Sequence, residues 1–337
     1  MSRTGTHNAL TDVPGVRVGQ AGRIGGGALT GCTAVLPPPE CVVAVDSRGG
    51  GPCTRDTARL DPRQASGPVD ALVLSGGSVY GLAAADGVLR WLAEHRPIAG
   101  RAPVVPAAGL FDLGRGGDFH VTPDAALGAR AAANASDGPI EQGVAGAGTG
   151  AVNGGLKGGI GTASEVLPDG AVVAALIAVN ASGPSVDPAT GLPYGLPAGL
   201  PGEFPLVAPS ADALAAGLRL LADTVRERAL PHPLNTVIGV VATTAALDRT
   251  QTQRLAAAGQ DGLAFAVRPA HGLTEGDTLF ALASGSSGPV EAVEPLLAAA
   301  ARVVTRAMVH GMLAAESVTT PAGRIPAYRE LFPATVR

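Results

Sequence analysis

The chain has 337 residues, 46% hydrophobic and 15% charged, with a net charge of −4. That length and apolar content support a large core and exclude a disordered chain. The weak acidity, without any run of Lys or Arg, gives no electrostatic footprint for nucleic acid. With aromatics at 3%, the core has to be built from Ala, Val, Leu and Ile, and the 48 glycines read as tight turns and close backbone approaches. Met1–Asn8 lacks the apolar centre of a signal peptide, and no 18-residue apolar stretch is free of charges and breakers, so neither export nor a membrane partner is expected. Cys32, Cys41 and Cys53 have no CxxC spacing, which fits reduced thiols in a cytoplasmic protein.

In chain order, Val16–Val18, Thr33–Leu36 and Val42–Val45 read as strands of an early sheet. A glycine-rich loop over 46–57 follows. The strand Ala71–Leu74 then runs through Ser75-Gly-Gly-Ser78 into a helix over Val79–His95. The glycines there have two readings, anion binding at the helix N-terminus or close packing of helix on strand. Val104–Leu113 enters a second loop, Gly114–Asp118, and an Ala-rich helix spans Pro123–Ala135. The stretch Gly143–Ser164 is the most glycine-dense. Val172–Val179 is a strand ending at Asn180, and 184–206 reads as a surface loop. Ser210 caps a helix from Ala211 to Arg228, which Pro231 ends. Thr236–Thr243 is read as strand, Leu247–Ala258 as helix, Leu263–Val267 and Leu279–Ala283 as strands, and Val290–Ala315 as a long amphipathic helix. Strands and helices cluster rather than alternate. This favours packed sheets covered by helices over a doubly wound parallel sheet.

Nucleotide motifs fail on context. Gly146-Ala-Gly148-Thr-Gly-Ala151 matches GxGxxA but lacks a strand before it and a helix after it. Lys157 is preceded by Leu156 and followed by Gly158, which breaks a phosphate-binding loop motif. The six histidines are scattered and no HExxH occurs, so no metal or other cofactor is expected. Acyl transfer is the remaining chemistry. If the chain is cut at Asn235-Thr236, Thr236 carries both a hydroxyl nucleophile and an α-amine to act as its base, with a reference pKa near ~7.7–8.0. Lys157 would lower that pKa by like-charge repulsion, Asn180 would donate to an oxyanion, and Glu275 and Asp277 would accept from the amine and hydroxyl. Each residue also has a plain reading: turn residue, strand former, solvated lysine, surface turn.

Several segments together resemble the DmpA-type aminopeptidases: Asn8–Gly19, Thr30–Val35, Arg48–Asp56, Leu74–Leu82, Gly154–Gly161, Val179–Gly183, Asn235–Thr243 and Gly276–Ala283. The resemblance runs through nearly the whole chain in order. It extends to L-aminopeptidase/D-esterases, β-peptidyl aminopeptidases and a nylon-oligomer hydrolase branch, which Asn-Thr at the cut resembles. It implies an α+β fold, a four-layer αββα sandwich like the N-terminal-nucleophile hydrolases but with different connectivity. It also implies one domain, 1–337, self-cleaved into 1–235 and 236–337, and a homotetramer or larger assembly. The activity implied is a threonine amidohydrolase acting on small peptides or amino-acid amides, with Thr236, Lys157, Asn180, Glu275 and Asp277 around the nucleophile. An acyltransferase of ornithine-acetyltransferase type and an uncleaved, silent ligand-binding relative are the alternatives. Two positions depart from the pattern. Glu275 stands where that branch has Asp, and Phe111 stands in the loop where some relatives supply a tyrosine, a role that is either lost or taken by Tyr80 or a water.

Overall fold

The computed structural model describes residues 2–64, 67–97, 100–228 and 234–333. Its strands in chain order are β1 Arg17–Gly25, β2 Ala28–Leu36, β3 Val42–Ser47, β4 Thr54–Arg55, β5 Leu72–Ser75, β6 Ala107–Gly109, β7 Val152–Asn153, β8 Leu156–Lys157, β9 Ile160–Val166, β10 Val172–Ala178, β11 Ile238–Thr243, β12 Thr278–Ala283, β13 Val318–Thr320 and β14 Gly323–Ile325. The helices are α1 Ser78–Gly81, α2 Ala84–His95, α3 Ala125–Ala133, α4 Ala211–Glu227, α5 Arg249–Ala266, α6 Glu294–Ala314 and α7 Tyr328–Leu331.

Two five-stranded sheets form, in the orders β1-β2-β5-β6-β4 and β3-β12-β11-β10-β9. Neighbours are antiparallel except β5–β6 and β11–β12, and a parallel pair needs a crossover. In the first sheet α1 and α2 supply it, in the second α5. Between the sheets lies a core that takes Val18, Val35 and Leu74 from one and Leu176, Val240 and Phe280 from the other. The outer face of the first sheet is covered by α2 and α3, and that of the second by α5 and α6. Helix, sheet, sheet, helix: the αββα sandwich is observed.

Buried strands such as β11, every residue of which is buried, read as continuous apolar runs and are easily found. Others differ from the sequence reading. Leu263–Val267 is not a strand but the end of α5, whose buried Leu255, Gly259 and Leu263 recur at four-residue spacing. The helix over 79–95 breaks at Leu82–Ala83 into α1 and α2, and β11 begins at Ile238 rather than Thr236. The glycine-dense segment ends in a true strand, β9. Its glycines serve close packing, since a Cβ on Gly158 would lie 2.0 Å from the Val179 carbonyl oxygen. The Ser75-Gly-Gly-Ser78 turn resolves the same way. A Cβ on Gly76 would meet Asp112 Oδ2 at 2.2 Å, and the Gly77 amide donates to Asp112 Oδ1 at 2.6 Å. Pro231 and Pro233 lie outside the described residues. By length and composition α6 is long and apolar enough to cross a membrane, but 72% of its apolar window is buried in the fold. Its Arg306 is fully buried and paired with Glu203 at 2.7 Å. It is a core helix.

Candidate active site

Sheet register assembles the site. Ala178 pairs with Ile238 across the antiparallel β10–β11 ladder, so Asn180 falls opposite Thr236 just beyond the strand ends. The Thr236 amide donates to the Asn180 carbonyl at 2.7 Å. Parallel β11 and β12 pair Ile238 with Thr278, which brings Asp277 level with Val237. Asp277 Oδ1 accepts from the Val237 amide at 2.9 Å. Thr236 is 6% exposed, and its hydroxyl donates to the Asn235 carbonyl oxygen at 2.7 Å. The hydroxyl therefore sits against the peptide group that it would attack.

Arg115, which the sequence reading missed, joins the two asparagines. It is buried in the Leu113–Gly117 loop and donates through Nη1 to Asn180 Oδ1 at 2.5 Å and the Gly150 carbonyl at 2.8 Å. Nη2 donates to Asn235 Oδ1 at 2.7 Å. Asn180 Oδ1 also accepts from the Val152 amide at 2.9 Å. Two donors on one oxygen settle which end of this amide is which. Asn180 Nδ2 then points at the Phe111 and Thr236 carbonyls, each at a loose 3.4 Å, a donor still free to tighten on a developing oxyanion. Asn180→Ala is expected to lower kcat by about 10²–10³, with less effect on KM. Steady-state kinetics of the purified enzyme check this.

Lys157 lies at the end of β8 and is fully buried. Its Nζ donates to the carbonyls of Gly148, Ala151 and Gly158 at 3.0, 2.9 and 2.7 Å. None of these bonds goes to Thr236. Burial, with like-charged Arg115 adding to it, pushes the ammonium from 10.5 down to about 7. The three carbonyls oppose that fall, since only the charged form supplies three donors. Burial lifts Asp112 from 3.8 to about 6 against the pull of Arg115. Burial likewise lowers Arg115 to about 10, and Arg228 repels it further, yet it stays charged at neutral pH. Between about pH 7 and 10.5 the unfolded chain keeps a proton on Lys157 that the folded chain has released, so stability rises with pH there. Asp112 acts oppositely: between about pH 4 and 6 the folded chain alone keeps its proton, and stability falls as pH rises. Urea midpoints at pH 7 and 9.5 should rise more in wild type than in Lys157→Met.

Glu275 is buried and accepts from the amides of Ser182 at 2.8 Å and Gly272 at 2.9 Å, so it ties together the loops that carry them, and no bond from it to Thr236 is found. Asp277 Oδ2 lies 2.8 Å from His271 Nδ1. Burial disfavours the imidazolium, but Asp277 outweighs it and raises the His271 pKa. A cavity of about 480 Å³ opens beside the site, lined in part by Phe111, Arg115, Val152, Ser182, Arg228 and Asn235. Phe111 is thus placed at the pocket. Tyr80 is 59% exposed and is not among the lining residues. Among the described residues no cluster of three or more His, Cys, Asp or Glu is placed to hold a metal ion.

Comparison with known proteins places the chain in a family. Residues 8–325 match the model of peptidase family S58. An uncharacterised aminopeptidase of Mycobacterium tuberculosis is 47% identical across 97% of this chain and 98% of its own length. The β-peptidyl aminopeptidase of Sphingosinicella microcystinivorans is 36% identical across 49% of this chain and 44% of its own. Among solved structures, a Burkholderia sp. β-aminopeptidase superposes with a TM-score of 0.73 at 26% identity, over 98% of this chain and 94% of that one. The L-aminopeptidase D-Ala-esterase/amidase of Ochrobactrum anthropi, described as a new variant of the Ntn hydrolase fold, superposes with a TM-score of 0.71 at 24% identity over the same shares. These matches, with the sandwich that agrees with them, identify the chain as a member of peptidase family S58, an aminopeptidase/amidase of the DmpA type.

Proposed function

We propose that the chain cuts itself between Asn235 and Thr236, and that the freed Thr236 is the nucleophile of an amidohydrolase acting on small peptides and amino-acid amides. One observation carries the reading: the buried Thr236 hydroxyl rests 2.7 Å from the Asn235 carbonyl oxygen, with the Thr236 nitrogen held by Asn180. Oγ1 attacks the Asn235 carbonyl carbon. The C–N bond breaks, and the hydroxyl proton ends on the Thr236 nitrogen, which leaves as an amine still able to donate to the Asn180 carbonyl. Water then hydrolyses the Asn235 ester, giving an Asn235 carboxylate and a free Thr236 hydroxyl. Arg115, bonded to the side chains of both asparagines, holds the two residues that flank the new amine. Asn180 Nδ2 serves the oxyanion, and Asp277 fixes the backbone just after the nucleophile.

In the mature enzyme Thr236 repeats the attack on a substrate carbonyl. Incubation with an amino-acid p-nitroanilide, followed by acid quench and mass analysis, should show the acyl group on the fragment that begins at Thr236. Equal turnover by Thr236→Ala would overturn the reading. A cytoplasmic homo-oligomer, tetrameric or larger, belongs to the same proposal. Its cytoplasmic part is supported by the three cysteines being free thiols.

A further inference from the structure

The side chain of Asn235 occupies a niche that is complementary to a carboxamide. Its Oδ1 accepts from Arg115 Nη2 at 2.7 Å, and its Nδ2 donates to the carbonyls of Ala181 at 2.8 Å and Val152 at 3.2 Å. The residue is 6% exposed at the edge of the cavity, so one charged donor and two backbone acceptors are matched with little access to water. We propose that this niche is the acyl-residue subsite of the mature enzyme, and that it selects substrates whose N-terminal residue carries a terminal carboxamide.

The inference rests on self-cleavage at Thr236 and follows from its chemistry. The ester formed during cleavage and the acyl-enzyme formed with substrate are the same linkage: an aminoacyl carbonyl on Thr236 Oγ1. The acyl residue must therefore lie where Asn235 lies, its α-amine replacing the Asn235 peptide nitrogen. Once the cut segment leaves, the niche keeps its donor and acceptors. The Arg115 Nε is in addition buried without a partner. Leucine would leave Arg115 Nη2 without its acceptor and would take the carboxamide donor away from the Val152 and Ala181 carbonyls, the second of which keeps only the Gly154 amide. Aspartate would satisfy Arg115 but turn an oxygen towards the Val152 and Ala181 carbonyls. A site whose buried polar groups are left unpaired rejects an analogue far more strongly than one that only loses apolar contact.

The test is kcat/KM of the self-processed enzyme on the p-nitroanilides of L-asparagine, L-aspartate and L-leucine. Asparagine should exceed leucine by at least about a hundredfold and should also exceed aspartate. Leucine or aspartate turned over as well as asparagine would overturn the proposal. The full-length precursor gives an independent arm, because residue 235 itself sits in the niche. Self-cleavage should slow in the order Asn, Asp, Leu in the Asn235→Asp and Asn235→Leu chains. Equal cleavage rates would likewise overturn the subsite, whereas a wild-type chain that never cuts would instead overturn the self-processing reading beneath it.

Discussion

Thr236→Ala is expected to leave the chain whole and to lower amide hydrolysis by about 10⁴–10⁶. The substitution removes the one hydroxyl that lies at 2.7 Å from the Asn235 carbonyl, and with it the means of freeing the α-amine. Nucleophile and base are lost together, because both belong to residue 236. The fold should survive. The Thr236 amide still donates to Asn180, Val237 still donates to Asp277, and alanine only removes a side chain whose hydroxyl bonds its own neighbour. The uncut variant should thus show wild-type circular dichroism. Thr236→Ser keeps a hydroxyl on the same atom path and should retain both cleavage and hydrolysis. Intact mass and p-nitroanilide turnover, measured on both variants, check the pair.

The second large effect falls on Arg115. Arg115→Leu leaves the Gly150 carbonyl and Asn235 Oδ1 without their donors, at about 1–3 kcal/mol for each buried acceptor. Asn180 Oδ1 keeps only the Val152 amide, so its carboxamide loses one of the two close bonds that orient it and retains that amide and two loose ones. A misplacement of about 1 Å in such a group costs about 10²-fold in rate, and self-cleavage should slow by at least that much. Relief of repulsion on Lys157 offsets part of the stability loss, but not the rate loss, which is geometric. Arg115→Lys should not rescue cleavage. One ammonium on a flexible stem cannot reproduce the fork that reaches Asn180 and Asn235 from separate nitrogens. Denaturation midpoints and single-turnover cleavage of Arg115→Leu and Arg115→Lys separate the two effects.

What the sequence revealed follows the local character of each signal. Buried strands such as β11 and β12 appear as apolar runs, and their ends mark Asn180, Thr236 and Asp277 as neighbours once the strands are paired. The clustering of strands and helices was enough to favour stacked sheets. Arg115 and Asp112 carry no such signal. They sit in an aperiodic loop whose partners, at 180, 235 and 77, become neighbours only after both sheets are folded. A lone arginine among glycines is the one hint, since glycine lets backbone crowd around a buried side chain. Leu263–Val267 reads as a short apolar strand after a helix ending at Ala258, with Gly259 and Gly262 between them. In the fold these glycines lie inside α5, and a Cβ on Gly262 would come within 2.2 Å of the Ala301 carbonyl oxygen of α6. Close helix packing, not a chain break, puts glycine there. Glu275 reads from its spacing as a partner of the nucleophile. In the fold it holds the amides of Ser182 and Gly272 instead, a role that depends on how two distant loops meet.

Intact mass with N-terminal sequencing of wild-type protein, taken fresh and after prolonged incubation, tests self-cleavage most directly. Two fragments, 1–235 and 236–337, the second beginning Thr-Val-Ile-Gly, are the expected result. A single 337-residue chain that persists through the incubation would contradict the account.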